Sequence, residues 1–471
     1  MNVLQKDENE IRNIKKVITK VFEIYNYKLD VCKDIKCSIK RVDGIHPKKS
    51  LIKFLDKSNR LKCEIMFRDF RSQTFFKYRV TISLKRDKNS FKDIEFILNN
   101  VIRVYRRYCR DKQINLISET SFNHLIDDSI QNSIILILLK SKDNASRSLK
   151  TALVSNIEEL IEKLSSWANR TYEGRKIPFS FLIDLDMINF PDEIFDKINK
   201  FLLDDSSALI TDGISSYFEL GDKLSYKIIK YYDPEEESLN EYPFVPYRFS
   251  SFGNMCDVNK IGIILNIQGD ILLIKNKKLV FAKRNGNWIW YDYDAFHDTL
   301  FKDMKFYRTE DDEQKHEIRE RIKKIYITCL DVAFARTGGC LAMCLNDKID
   351  KIIKDINVDD LHDEFVKNNV KNPNTKREIL ENIIVNKKLF YLLNRKSRLE
   401  LLGIDGATII SDDWKIVTTG AILDNKIPKK IKDLHGGART KIAIKLSQYG
   451  IAIKISADGY IECYKKMKHI F

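Results

Sequence analysis

Two short stretches near the C-terminus carry side chains of types and spacing suited to holding an anion. Asp405-Gly406-Ala407 sets a carboxylate beside two residues with almost no side chain. The β-branched run Thr408-Ile409-Ile410 follows at once and predicts a buried strand, so a ligand could approach the backbone closely at the strand mouth. Further on, Gly436-Gly437-Ala438-Arg439-Thr440-Lys441 leads into Ile442 to Ser447, a pattern that predicts an amphipathic helix ending near Gly450. Free amides at a helix start attract anions, and Arg439 and Lys441 add positive charge where a phosphate would sit. A carboxylate on a strand mouth and a cationic helix start are the two halves of a pocket for one small phosphorylated molecule.

An Asp-Gly pair by itself reads as a turn, and Thr211-Asp212-Gly213 in the same chain is read that way, as is Thr171-Tyr172-Glu173-Gly174. Order and spacing add information that the single motifs lack. Taken together, the two C-terminal stretches resemble the diadenylate cyclase (DAC) domain, which has Asp-Gly-Ala on one strand and, some thirty residues later, Gly-Thr-Arg-His-Arg opening a helix. Asp405-Gly406-Ala407 matches in full. In the second motif Gly437 and Arg439 match, while Ala438, Thr440 and Lys441 replace the Thr, His and second Arg. Ala335-Arg336-Thr337-Gly338-Gly339 looks like the family's turn into its first core strand, and Ser456-Ala457-Asp458-Gly459 stands near the end where the family has Ser-Glu-Glu-x-Gly. The resemblance runs from about Glu313 to the C-terminus.

The resemblance implies a nucleotide site made of Asp405, Gly406, Ala407, Gly437, Ala438, Arg439, Thr440 and Lys441, with ATP or a cyclic dinucleotide as ligand. In a working cyclase two such domains face each other and condense two ATP into cyclic di-AMP. Asp405 would then be the catalytic residue, helping a divalent metal, Mg or Mn, activate the ribose 3′-hydroxyl. The substituted basic motif removes donors from the phosphate cradle, which is where such chemistry draws its stabilisation. The chain therefore resembles the divergent, sensor-like branch of the family proposed for bacterial conflict and defence systems. The alternative is an active diadenylate cyclase; a nucleic-acid-binding protein is a third class.

The elements that must position these residues suggest a multi-domain α+β or α/β chain. The expected segments are a basic α+β domain at 1–150, an α+β middle region at 151–250, a β-meander at 251–305, and a DAC-like domain at 306–471 built on a mixed sheet flanked by helices. Helices are predicted over Glu8 to Lys28, Phe91 to Arg110, Asn156 to Ala168, Glu313 to Phe334 and Thr375 to Asn394. Strands are predicted at Pro178 to Leu185, Ser207 to Ile210, Ile214 to Leu220, Leu224 to Tyr231 and Gly339 to Leu345. Asn285-Gly286 is the best hairpin signal, between Lys278 to Lys283 and Trp288 to Tyr293. No internal repeat is visible.

The net charge of +15 is unevenly spread. Residues 1–150 hold 33 Lys and Arg against 18 Asp and Glu, whereas the remainder is balanced at 49 each. A polyanion would therefore meet the first third of the chain, where Phe67, Phe70, Phe75, Phe76 and Tyr78 interleave with Arg68, Arg71, Lys77 and Arg79. Packing of the aromatics in a core, with a solvated basic face, is the favoured reading. Nine cysteines without a repeated Cys-x-x-Cys, and a polar N-terminus, point to free thiols in a reducing cytoplasm. No apolar run is long enough to cross a bilayer, and P-loop, nucleophile-elbow and zincin motifs are absent.

Overall fold

The apolar stripe Ile14, Val17, Ile18 and Val21 folds as helix α1 (Val3–Ile24), with those four side chains buried. A second stripe, Ile94, Ile97, Leu98 and Ile102, does the same in α2 (Ser90–Asp111). The computed structural model describes residues 3–24, 37–43, 60–68, 75–83, 90–111, 119–142, 147–172, 175–188, 191–201, 211–230, 243–304, 311–357, 389–423 and 437–471. They form a mixed α+β protein of two units, Met1–Lys230 with Phe252–Asp292, and Tyr231–Ser251 with Tyr293–Phe471.

In the first unit, β1 (Cys37–Asp43), β2 (Arg60–Arg68) and β3 (Phe75–Ser83) make an antiparallel sheet in the order β1-β3-β2. Of the interleaved stretch Phe67 to Arg79, the backbone of 67–68 and 75–79 falls in β2 and β3, and residues 69–74 lie outside the described residues. Helix α3 (Glu119–Leu138) was not predicted, because it buries Ser129, Gln131 and Ser133 as well as Ile130, Ile134 and Ile135 and so shows no clean stripe. Helix α4 (Arg147–Trp167) follows, starting nine residues earlier than expected. All four helices share one core with the large sheet of the unit, so the boundary expected near residue 150 separates no two cores.

That sheet has seven strands in the order β12-β11-β10-β9-β6-β7-β8. They are β6 (Phe179–Asp184), β7 (Ser216–Leu220), β8 (Leu224–Ile228), β9 (Lys260–Leu265), β10 (Ile271–Lys275), β11 (Lys278–Arg284) and β12 (Asn287–Trp290). The two-residue strands β4 (Thr171–Tyr172) and β5 (Arg175–Lys176) precede it as a small hairpin. Only β6 and β7 are parallel, and the crossover this requires carries α5 (Pro191–Phe201). The pairing of β9 with β6 joins the expected middle region and meander into one sheet. Asn285 and Gly286, at φ 49° and 80°, close the β11–β12 hairpin as their types predict. The strand expected at Ser207 to Ile210 lies outside the described residues.

After its Tyr231–Ser251 segment, the second unit continues with α7 (Tyr293–Asp303), where a strand end was expected, and α8 (Asp312–Phe334), whose N-terminus is capped by the Asp311 carboxylate accepting from the Glu313 amide. Its sheet runs β14-β16-β15-β13-β17-β18-β19. The strands are β13 (Gly339–Cys344), β14 (Ile356–Asn357), β15 (Ala407–Ser411), β16 (Ile416–Leu423), β17 (Gly450–Ile455), β18 (Ile461–Lys465) and β19 (Lys468–His469). Between them lie α9 (Ile349–Asp355), α10 (Arg395–Leu402) and α11 (Ala438–Leu446). Of the helix expected over Thr375 to Asn394, only residues 389–394 are described. They form a short 3-10 turn at Phe390–Leu392, after Leu389 has bridged to Lys415.

Helix α11 lies on one face of this sheet because that face is made of small side chains. Cys340, Ala342 and Cys344 of β13, Ala407 of β15 and Ala452 of β17 pack against Ile442, Ala443 and Leu446. Burial pushes the Cys340 and Cys344 thiols up to about 12, so they behave as small hydrophobes rather than nucleophiles. Beside them, the Lys454 ammonium on β17 donates to Glu462 of β18 at 2.6 Å, and the Tyr464 hydroxyl donates to the same carboxylate at 3.0 Å. Burial alone would raise the Glu462 pKa, but Lys454 and these bonds hold it below the usual carboxylate range. A lowered folded pKa stabilises the fold above the unfolded pKa and loses that contribution as pH falls below it. Acid titration of stability should therefore be shallower in Glu462→Gln than in the unmodified chain; identical curves would show that this carboxylate is not coupled to folding.

Candidate functional site

Strand β13 is entered through Ala335 to Gly338, a turn in which Arg336 and Gly338 take φ values of 57° and 63°. Its parallel neighbour β15 is entered through Gly403 to Gly406, after α10 ends at a Gly403 C-cap. Helix α11 precedes β17, which runs antiparallel to β13, so the helix start and the starts of β13 and β15 lie at one end of the sheet. The topology alone thus gathers Gly338, Asp405 and Arg439 from three distant segments.

Side chains complete the arrangement. Arg439 Nη2 donates to Asp405 Oδ1 at 3.0 Å across 34 residues of sequence. Its Nη1 lies 2.9 Å from where a Cβ on Gly338 would be, with the Ile455 carbonyl oxygen and the Ala457 amide nitrogen at 3.2 and 3.3 Å from the same point. Only a glycine leaves that space for the guanidinium. The Asp405 side chain is 87% exposed and that of Arg439 34%. An ion pair this open contributes roughly 0.2–1 kcal/mol, so it constrains the guanidinium without locking it.

The helix start adds donors. Gly437 caps α11 with its backbone carbonyl, which accepts from the Thr440 and Lys441 amides at 3.0 and 3.2 Å, but it has no side chain to satisfy the first turn. Gly437 and Ala438 are exposed there, and Thr440 and Lys441 are half-buried. Arg439 Nε is buried with no hydrogen-bond partner among the described residues. The result is a guanidinium and a helix N-terminus aimed at the same exposed edge, with one carboxylate opposite.

Two expected site residues have other duties. Gly406, at φ +101°, is pressed against β16: a Cβ there would meet the Gly420 carbonyl carbon at 2.6 Å and the Ala421 oxygen at 2.7 Å. The close backbone approach read from the sequence is therefore taken up by the neighbouring strand, where the β15–β16 register slips, rather than left for a ligand. Ala407 is fully buried beneath α11 and offers no side chain to the edge. Gly338, in contrast, was quoted only as a turn and is the residue against which Arg439 rests.

Metal-assisted chemistry needs several hard donors, and here Asp405 brings one carboxylate already paired with Arg439. Among the described residues no group of three or more His, Cys, Asp or Glu side chains could hold a metal ion.

A second polar centre, with no motif to mark it in the sequence, lies inside the unit. Asp331, near the C-terminal end of α8, accepts from Arg395 Nε at 2.6 Å, Arg395 Nη2 at 2.7 Å and the Tyr247 amide at 2.7 Å. Arg395 also donates to the Val245 carbonyl at 2.6 Å and lies 5.3 Å from the centre of the Tyr247 ring. Both charged residues are at most 4% exposed. This pair fixes residues 245–250 to the core and has no access to ligand. No helix among the described residues is long and apolar enough to cross a membrane. No protein-family model, curated protein or solved structure matches the chain.

Proposed function

We propose that the C-terminal unit binds an adenine nucleotide or a cyclic dinucleotide, as a sensor rather than as a cyclase, in line with its resemblance to the DAC domain. The observation that carries this reading is the meeting of Asp405 and Arg439 at 3.0 Å beside a helix start with no side-chain cap. A guanidinium has five donors, so Arg439 can keep one on Asp405 and present others to a phosphate. The first-turn amides of α11 supply further donors and a favourable dipole. Asp405 orients the guanidinium in the free protein and discourages anions that do not bring enough charge to compete.

Binding is favoured over catalysis because phosphoryl transfer needs positioned cations around the transferring group. The second family Arg is Lys441 here and the family His is Thr440. The basic N-terminal segment, with its surplus of 15 positive charges, is the proposed route of output, through a polyanion.

ATP at about 100 times its Kd should stabilise the full chain by about 2.7 kcal/mol, read as a rise in Tm. The rise should vanish in Arg439→Ala and be partly kept in Arg439→Lys, with ADP and cyclic di-AMP compared in parallel. A shift that survives Arg439→Ala places the ligand elsewhere and ends this reading. Formation of cyclic di-AMP from ATP and Mn²⁺ that is lost on Asp405→Asn would instead make the protein an enzyme.

A further inference from the structure

Six strands of each seven-stranded sheet repeat, β11-β10-β9-β6-β7-β8 in the first and β19-β18-β17-β13-β15-β16 in the second, with β12 and β14 added at opposite edges. In each, one parallel pair sits inside the order, an antiparallel strand flanks it on either side, and a helix precedes the strand on the far flank. The registers agree residue by residue. Phe179 faces Leu265 and Phe181 faces both Ile263 and Phe218; Gly339 faces Ile455 and Leu341 faces both Ile453 and Thr408. Leu265 and Ile455 are thus counterparts, and so are Phe218 and Thr408, each pair 190 residues apart.

The turns keep the same spacing. Gly269 and Gly459 both take positive φ, at 85° and 104°, in turns closed by Gly269 N to Asn266 O and by Gly459 N to Ser456 O. Asn276 and Lys277 have φ of 50° and 57°, and their counterparts Lys466 and Met467 have 50° and 61°. The Asn276 amide reaches back to the Asp257 carbonyl, as the Lys466 amide does to Ser447, which aligns α6 (Ser250–Met255) with α11. No two turns of unrelated sheets need share these bonds at one constant interval.

This alignment reads the candidate site onto the first copy. Asp405 corresponds to Ser215, and Arg439, Thr440 and Lys441 correspond to Phe249, Ser250 and Ser251. Each charge of the site is replaced by a neutral residue, while an exposed cation, Arg248, stands at the counterpart of Ala438. The nearby, half-buried Asp212 folds back on its own turn: it accepts from the amides of Ile214, Ser215 and Ser216 at 2.8, 2.7 and 3.3 Å and from the Ser215 hydroxyl at 2.9 Å. Ser250 and Tyr247, at the counterpart of the basic turn, are hydrogen-bonded to Arg395 and Asp331.

We infer that the chain carries one fold in two copies with divided roles, the first holding Asp212 as a turn lock and the second holding Asp405 and Arg439 as the sole phosphate site of the pair. One chain then takes up one phosphorylated ligand. The ligand half of this statement rests on the nucleotide reading above; the division of roles does not.

The test is calorimetric titration of the full chain with ATP, together with the melting temperatures of Asp212→Ala, the milder Asp212→Asn, and Asp405→Ala. One ATP per chain is expected, and a stoichiometry of two overturns the inference while leaving the nucleotide reading in place. Asp212→Ala should lower Tm by about 3–8 °C through its lost amide partners, with Asp212→Asn between it and the parent, whereas Asp405→Ala should leave Tm within about 1 °C. Absence of heat at every ATP concentration removes the nucleotide reading alone. The melting data still decide the division of roles, and equal losses in Asp212→Ala and Asp405→Ala overturn it.

Discussion

Replacing Arg395 by Met is expected to cost about 3–5 kcal/mol of stability, the largest single effect predicted for a side chain in this protein. The change leaves the Asp331 carboxylate, 4% exposed, with only the Tyr247 amide as a donor, and it removes the donor from the Val245 carbonyl. A buried carboxylate without its cation must be desolvated unpaired or take up a proton, and either course costs more than the pair contributes when whole. The measurement is the urea midpoint, with Tm expected to fall on the order of 10 °C. Asp331→Asn should cost nearly as much, because it strands the guanidinium instead. The double variant Asp331→Leu/Arg395→Met should lie closer to the parent than the two losses added together, since it removes both charges at once. A midpoint unchanged in Arg395→Met would show that water reaches the pair and that residues 245–250 are held by other contacts.

The presence of such a partner was legible in principle. Asp331 stands in Ile327-Thr328-Cys329-Leu330-Asp331-Val332-Ala333, where an isolated carboxylate in a buried helix end demands a cation, but nothing in the sequence says that Arg395 supplies it. The same limit governs the rest of the fold. Periodicity marked α1 and α2, whose apolar stripes are buried, while the apolar runs of α8 and of the β17–β18 hairpin marked elements buried on both faces. It failed for α3, buried on its polar positions as well, and for α6 and α10, which span too few turns to show a stripe, whereas α5 carries a legible one in Ile194, Phe195 and Ile198. Pairing between β6 and β9, some eighty residues apart, has no local signature at all.

The internal duplication escaped for a related reason. Its invariants are backbone conformations and a scatter of single residues, Ile261 and Ile451, Ile263 and Ile453, Gly269 and Gly459, and Ile271 and Ile461, set among neighbours that differ. Asn276-Lys277 and Lys466-Met467 share positive φ without sharing a residue type, and Gly262 stands where the second copy has Ala452. What the residue types did convey was the charge pattern at the sheet end. Asp405 and Arg439 were singled out as opposite halves of one pocket, and the structure sets them 3.0 Å apart. Their glycines were harder to read, because glycine marks a need for space without saying what fills it.

Gly406 and Gly437 separate those two meanings by experiment. At Gly406 the backbone has φ +101°, which L side chains rarely adopt, and an added Cβ would lie 2.6–2.8 Å from the Gly420 and Ala421 backbone. Gly406→Ala should therefore destabilise the unit by about 2–5 kcal/mol, as strained φ and overpacking against a backbone add. Relief requires β15 and β16 to part where their register already slips, and that movement carries the adjacent Asp405 away from Arg439. At Gly437 the backbone is extended, with φ −71° and ψ 177°, and a Cβ meets nothing within 4 Å. Gly437→Ala should change stability by no more than about 0.5 kcal/mol, while its methyl group protrudes at the start of α11 where a phosphate would approach. Urea midpoints and the ATP-induced rise in Tm, measured on both variants, should thus tell the two apart: stability lost in the first, ligand response weakened at unchanged stability in the second. A Gly406→Ala protein as stable as its parent would mean that β16 does not press on that spot, and the space beside Asp405 would return to the ligand.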